Sequence, residues 1–168
     1  KDVWTHLVDI RKSFEPRAEE LAKKYALAPY TMFIGSGALW GETILFSMCI
    51  LEEMQWKRTR YITSADFFHG TLELVEPGVP VFLFMGEDEN RKLDERVRAF
   101  LNRGVTGDTD INIIDTAEFA IPGLDEEFRV IVSPWILSSL ITDRLAAYYE
   151  TVTKHNLNYR RYYHQFDY

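Results

Sequence analysis

The run Val79 to Met85, closed by Gly86, carries no charged side chain. A strand that is apolar at every position has no face to offer water, so it belongs in a sheet covered on both sides. Such sheets are parallel, and crossover helices must join their strands. The rest of the chain supplies both parts. Thr31-Met32-Phe33-Ile34 after Pro29, Arg60-Tyr61-Ile62-Thr63, and Asp110 to Ile114 read as three further strands, and Pro77-Gly78 marks a turn. Leu7, Ile10, Phe14, Ala18, Leu21, Ala22 and Tyr25 recur at helical spacing. Residues 38–54 have helical length, 66–74 read as a short helix, and 88–103 as a charged amphipathic one capped by Asp88 and ended by Gly104. Ser133-Pro134 reads as an N-cap and first helical position opening a helix over 133–153. The expected fold is an α/β three-layer sandwich, a mostly parallel sheet flanked by helices. It forms one domain over 1–168, with a helix at 1–28, a core at 30–153 and a tail at 154–168.

Composition narrows the partners. A net charge of −7 is the wrong sign for nucleic acid, whose phosphates demand clustered Lys and Arg. It leaves room for a small phosphorylated ligand, which needs only a few local donors. No run of about 18 apolar residues is seen, so no membrane span is expected. Without a visible signal peptide, a cytoplasmic location is the expectation. The single cysteine, Cys49, lies in an apolar helical run and reads as a small buried residue.

Ligands of a parallel sheet bind beyond the carboxyl ends of its strands, near helix N-termini. Gly35-Ser36-Gly37 joins a strand to a helix there, and its backbone N–H groups can face a ligand oxygen; a plain connecting turn has the same pattern. Glu53 ends the helix beside Glu52, at the end unfavourable to negative charge. Ile44, Phe46, Met48, Ile50, Leu51 and Met54 place Glu53 near the apolar face, which would partly remove it from water, as a general base requires. His69, between Phe67-Phe68 and Gly70, is either a structural histidine or the acid of an acid–base pair. His6, His155 and His164 lack a companion pattern. No spacing of His, Cys or acidic residues points to a metal, and no cofactor is expected.

The segments Ile34-Gly35-Ser36-Gly37, Ser47-Met48-Cys49-Ile50-Leu51-Glu52-Glu53-Met54-Gln55-Trp56 and Phe67-Phe68-His69-Gly70 resemble the second SIS (sugar isomerase) domain of fructosamine-6-phosphate deglycases. The ending Arg160-Arg161-Tyr162-Tyr163 through Phe166-Asp167-Tyr168 is similar to their carboxyl tail. A more distant likeness is to the isomerase half of glucosamine-6-phosphate synthase. The resemblance implies that Glu53 and His69 are the acid–base pair and that Gly35, Ser36 and Gly37 touch substrate. It implies hydrolysis of a 6-phosphorylated sugar–amino acid conjugate to hexose 6-phosphate and free amino acid. It also implies that this domain is the C-terminal half of a protein with two SIS domains, paired with the other half or a symmetry mate. An opening at Lys1, inside a helical pattern, agrees with such a half.

Two departures matter. The loop after the Val79–Met85 strand, Gly86-Glu87-Asp88-Glu89-Asn90, is acidic where the other half of such enzymes carries a hydroxyl-rich phosphate loop. The tail has no lysine where relatives place one, and Arg160 and Arg161 read equally as substrate contacts or as a docked tail touching surface carboxylates. Two other readings remain open: an isomerase or aminotransferase half using the same proton transfers, and a sugar-phosphate-binding module without catalysis.

Overall fold

The computed structural model describes residues 2–104 and 107–167. Lys1 and Tyr168, which bound the expected first helix and tail, lie outside the described residues. Four strands, β1 (Tyr30–Gly35), β2 (Arg58–Ile62), β3 (Val81–Met85) and β4 (Ile111–Asp115), form one parallel sheet in the order β2-β1-β3-β4. β1 and β3 occupy the centre, and every residue of β3 is buried. The uninterrupted apolar run therefore has the environment that it demands.

Alternation along these strands splits the core in two. Phe33, Phe82 and Phe84 face one side, where their rings stack at 5.2–6.0 Å. Met32, Ile34, Val81, Leu83 and Met85 face the other. The first side is covered by α1 (Val3–Tyr25), by α2 (residues 37–54) and by the long helix α4 (Glu126–Thr153). Ala18 and Ala22, both fully buried, bring α1 close, and Tyr25 meets Phe82 edge-on at 5.7 Å. The second side is covered by α3 (Arg91–Leu101) and by the turns Phe67–His69 and Thr71–Leu74.

Several local expectations shift. The helix expected over 1–28 runs from Val3 to Tyr25 and is capped by Asp2, which accepts from the Thr5 N–H at 2.8 Å. The segment expected as one short helix over 66–74 is two tight turns separated at Gly70, whose φ of 136° no L side chain readily adopts. α4 begins at Glu126, and Ser133-Pro134 lies inside it. The Ser133 hydroxyl donates to the Arg129 carbonyl at 2.9 Å, a back-bond within the helix and not a cap. Asp88 is not the cap of α3: its Oδ1 accepts from the Asn90 N–H at 2.7 Å, ahead of the helix, and its Oδ2 is used elsewhere, as described below. α4 also has the length and apolarity of a membrane span, with mean hydropathy 1.3, which the sequence reading did not anticipate. Val132, Ile136, Leu137, Leu140, Ile141, Leu145 and Tyr149 bury its inner face in the core.

Candidate functional site

α2 is wound unevenly. A tight turn at Gly37–Leu39 leads into Trp40–Ile44, and Leu45–Met54 continues as a π-helix. Extended π-winding is uncommon and recurs at functional sites. The helix closes when the Lys57 N–H reaches the Leu51 carbonyl at 2.8 Å. That closure swings Trp56 into the left-handed region at φ 53°, a costly conformation for a bulky residue and one that persists only where surroundings enforce it.

The carboxyl tail enforces it. Lys154, at φ 57°, ends α4 and turns the chain back over the end of α2. Gln55, almost fully buried, donates to the His155 carbonyl at 2.6 Å and accepts from the Thr153 hydroxyl at 2.7 Å. Trp56 meets the His155 ring edge-on at 4.4 Å and carries the Arg161 guanidinium over its face at 4.3 Å. Glu53 accepts from Arg160 Nε at 2.9 Å. Arg160 is itself fixed, donating to the carbonyls of Leu157 and Tyr159 at 2.7 and 2.9 Å. The Glu-Met-Gln-Trp segment thus serves as the anchor for residues 153–161.

Between α2 and the tail lies a groove of about 390 Å³, lined by Glu52, Glu53, Trp56, Lys57, Arg160, Arg161, Tyr162 and Tyr163. Its size suits a small ligand. The two glutamates are separated by function: Glu52 accepts from the Thr59 hydroxyl at 2.6 Å, while Glu53 holds Arg160. Burial pushes the Lys57 ammonium below the ordinary lysine range. Where a desolvating apolar face was expected beside Glu53, a cation stands. Cys49, half-buried, has its thiol pushed up by burial and by the nearby Glu53 charge.

The other anticipated residues lie elsewhere. His69 is exposed, on the turn that covers the opposite face of the sheet from α2. No described contact joins it to Glu53. Its imidazole makes no hydrogen bond among the described residues, so it is free to meet something outside this fold. At the carboxyl ends of β1 and β3, Gly35, Ser36 and Gly37 are engaged internally. A Cβ on Gly35 would strike Thr43 Oγ1 at 2.1 Å, and one on Gly37 would strike Asp88 Oδ2 at 2.1 Å. Ser36 Oγ accepts from the Ser64 N–H at 2.7 Å. The Ala38 N–H donates to Asp88 Oδ2 at 2.6 Å, so the acidic loop supplies the carboxylate that this turn receives. Glu87 likewise faces inward to Arg129 at 3.3 Å. Nearby Asp94 is buried, accepting from Ser64 Oγ at 2.5 Å and from the Gly86 N–H at 3.4 Å. Burial, with the Asp88 charge adding to it, pushes Asp94 up to about 6. No cluster of three His, Cys, Asp or Glu able to hold a metal occurs among the described residues.

Lys57 is not singled out by the sequence, and Trp56 enters there only as part of a quoted segment. The signal for Arg160 was present in the docked-tail reading, but its partner carboxylate lies far upstream in the chain.

No family model matches the chain. It is 30% identical over 161 residues to fructoselysine 6-phosphate deglycase of Escherichia coli (strain K12), covering 94% of this chain and 43% of that protein. It is 29% identical over 148 residues to fructosamine deglycase FrlB of Bacillus subtilis (strain 168), covering 86% and 43%. A Bacillus subtilis crystal structure described as a candidate phosphosugar isomerase superposes with a TM-score of 0.89 at 26% identity, over 98% of this chain and 49% of the other. The C-terminal domain of glucosamine-fructose-6-phosphate aminotransferase from Francisella tularensis superposes at 0.54 with 18% identity, over 85% of this chain and 42% of that one, a likeness of fold alone. The resemblance to deglycases thus extends over nearly the whole chain, and the architecture is the SIS fold. The chain spans less than half the length of the curated relatives that it matches.

Proposed function

We propose that this SIS domain is the C-terminal half of a sugar-phosphate deglycase, whose groove at the end of α2 holds the reacting carbons of a 6-phosphorylated sugar–amino acid conjugate. One observation carries the reading: a glutamate, Glu53, lines a groove of ligand size in a chain similar in sequence to proteins named for deglycation. Glu53 moves the carbon-bound proton between sugar C1 and C2. His69 delivers a proton to the ring oxygen and opens it. Water then releases the amine, leaving hexose 6-phosphate. The acid–base division follows the chemistry: a carbon acid needs an anionic base at close range, and imidazole can give and take a proton near neutrality.

Because α2 and the His69 turn cover opposite faces of the sheet, the working pair is composite in this proposal. Glu53 of one SIS domain receives His69 from a second copy of the chain. Two adjustments accompany catalysis. Arg160 releases Glu53 or turns with it, freeing the basic oxygen. For Gly35, Ser36 and Gly37 to take a substrate oxygen, Asp88 must withdraw from the Ala38 N–H. The carbohydrate phosphate is anchored outside this domain, since Glu87 and Asp88 fill the loop after β3.

The test uses the full-length protein and hexose 6-phosphate release. Glu53→Gln keeps shape and lowers turnover by about 10² to 10⁴, with binding nearly retained; Glu52→Gln, which only weakens the Thr59 bond, is mild. A Glu53→Gln protein within a few-fold of wild type removes the base assignment. Mixing Glu53→Gln with His69→Asn subunits tests the composite arrangement. Recovered activity places the pair between copies, and no recovery with both variants inactive overturns that arrangement.

A further inference from the structure

The groove carries three cations, Lys57, Arg160 and Arg161, against two carboxylates, Glu52 and Glu53. That local excess stands out in a chain of net charge −7. Each carboxylate is engaged, Glu53 by Arg160 and Glu52 by the Thr59 hydroxyl. Arg160 is ion-paired to Glu53 and held by two backbone carbonyls. Lys57 and Arg161 have no such ion pair. Among the described residues, neither side chain has a carboxylate within ion-pair reach. A half-buried ammonium without a counter-ion is costly to maintain, and burial already pushes Lys57 below its ordinary range.

Arg161 is oriented as well as free. Its guanidinium lies over the Trp56 ring at 4.3 Å, and stacking uses the face while leaving the N–H edge open for a planar oxyanion. Trp56 is turned into that position by its left-handed backbone, which raises the cost of the arrangement and points to a use for it.

Two oxyanions exist on a phosphorylated sugar–amino acid: the carboxylate of the amino acid and the phosphate of the sugar. Geometry separates them. Glu53 lines the same groove as Lys57 and must reach C1 and C2. A carboxylate borne on the carbon next to the C1 nitrogen lies close to those atoms, whereas the phosphate stands at the far end of the hexose. We propose that Lys57 and Arg161 form a clasp for the carboxylate of the amino-acid portion, so that the site prefers conjugates joined through the α-amine over those joined through a distant side-chain amine. The proposal rests on the deglycase reading for its ligand.

The full-length protein is titrated calorimetrically with three ligands: fructosyl-glycine 6-phosphate, the matching methylamine conjugate, which lacks only the carboxylate, and fructosyl-glycine without phosphate. Wild type should bind the glycine conjugate about 10- to 100-fold more tightly than the methylamine one, as one or two charge-assisted hydrogen bonds allow. Lys57→Met and Arg161→Met should each erase most of that preference without changing methylamine binding, and Lys57→Arg should restore part of it. Equal binding of both conjugates by wild type overturns the clasp. So does a preference that neither substitution moves. Losses that follow the phosphate and not the carboxylate reassign the cations and also overturn it. Hexose 6-phosphate release is measured alongside: a carboxylate preference without turnover leaves the clasp standing and sinks the deglycase reading.

Discussion

Three acidic residues show how little residue type says about a carboxylate until its neighbours are known. Glu52 and Glu53 are adjacent in sequence, yet one accepts a hydroxyl and the other an arginine. Asp94, on the buried face of a highly charged helix with Val97 and Leu101, accepts from Ser64. Its folded value of about 6 lies above the usual carboxylate range, so the sign of its effect is fixed. The favourable protonated state is fully held below the unfolded value near 3.8 and is lost as pH rises through about 6, at a cost of roughly 3 kcal/mol. Asn mimics the protonated form: its oxygen can accept from the Gly86 N–H, and its amide can donate to Ser64. Asp94→Asn should therefore gain melting temperature relative to wild type between about pH 4 and pH 8. A constant difference across that range would show that Asp94 does not titrate there. That Glu53 lines a groove agrees with the attention its distinctive segment draws; Asp94 draws none, since a single charged residue in a highly charged helix does not announce its burial.

At the scale of elements, apolar runs were easily read and helix ends were not. β3 needs no partner information, because seven residues without charge demand cover on both faces. Ser133-Pro134 carries the signature of a helix start, but α4 had already begun at Glu126, and tertiary packing held the proline inside. Asp88 likewise looked like a cap for α3 and was claimed by the Ala38 N–H from another strand's loop. Such long-range competition is invisible in a local window. The same logic governs the tail. Its docking depends on Gln55, which binds both Thr153 and His155. Gln55→Ala leaves a buried carbonyl without its donor, at about 1–3 kcal/mol. Because the tail has few other buried anchors, the loss should be local. Hydrogen exchange at residues 154–167 should accelerate while the β1 and β3 amides keep their protection. Uniform acceleration throughout would mean that the tail is part of the global folding unit.

For the molecule as a whole, order in the sheet decides which strand meets the outside. β1 and β3 are enclosed, but β2 lies at one margin, with only β1 as a neighbour among the described residues. Its sequence, Arg58-Thr59-Arg60-Tyr61-Ile62, places two exposed arginines on that margin. An open strand edge is a template for uncontrolled pairing with other chains, and positive charge along it is a common safeguard. Beside these arginines stands a strongly β-forming trio, Thr59, Tyr61 and Ile62. Arg58→Val with Arg60→Val would convert the margin into an uncharged, strongly β-forming segment of the kind that seeds fibrils. On mild heating the double variant should scatter light earlier than wild type, and bind an amyloid dye, with little change in its circular dichroism beforehand. Unchanged scattering would mean that another surface guards the edge. The strand that carries the chain from Glu53 to His69 thus has a colloidal duty: its arginines keep neighbouring molecules from joining the sheet.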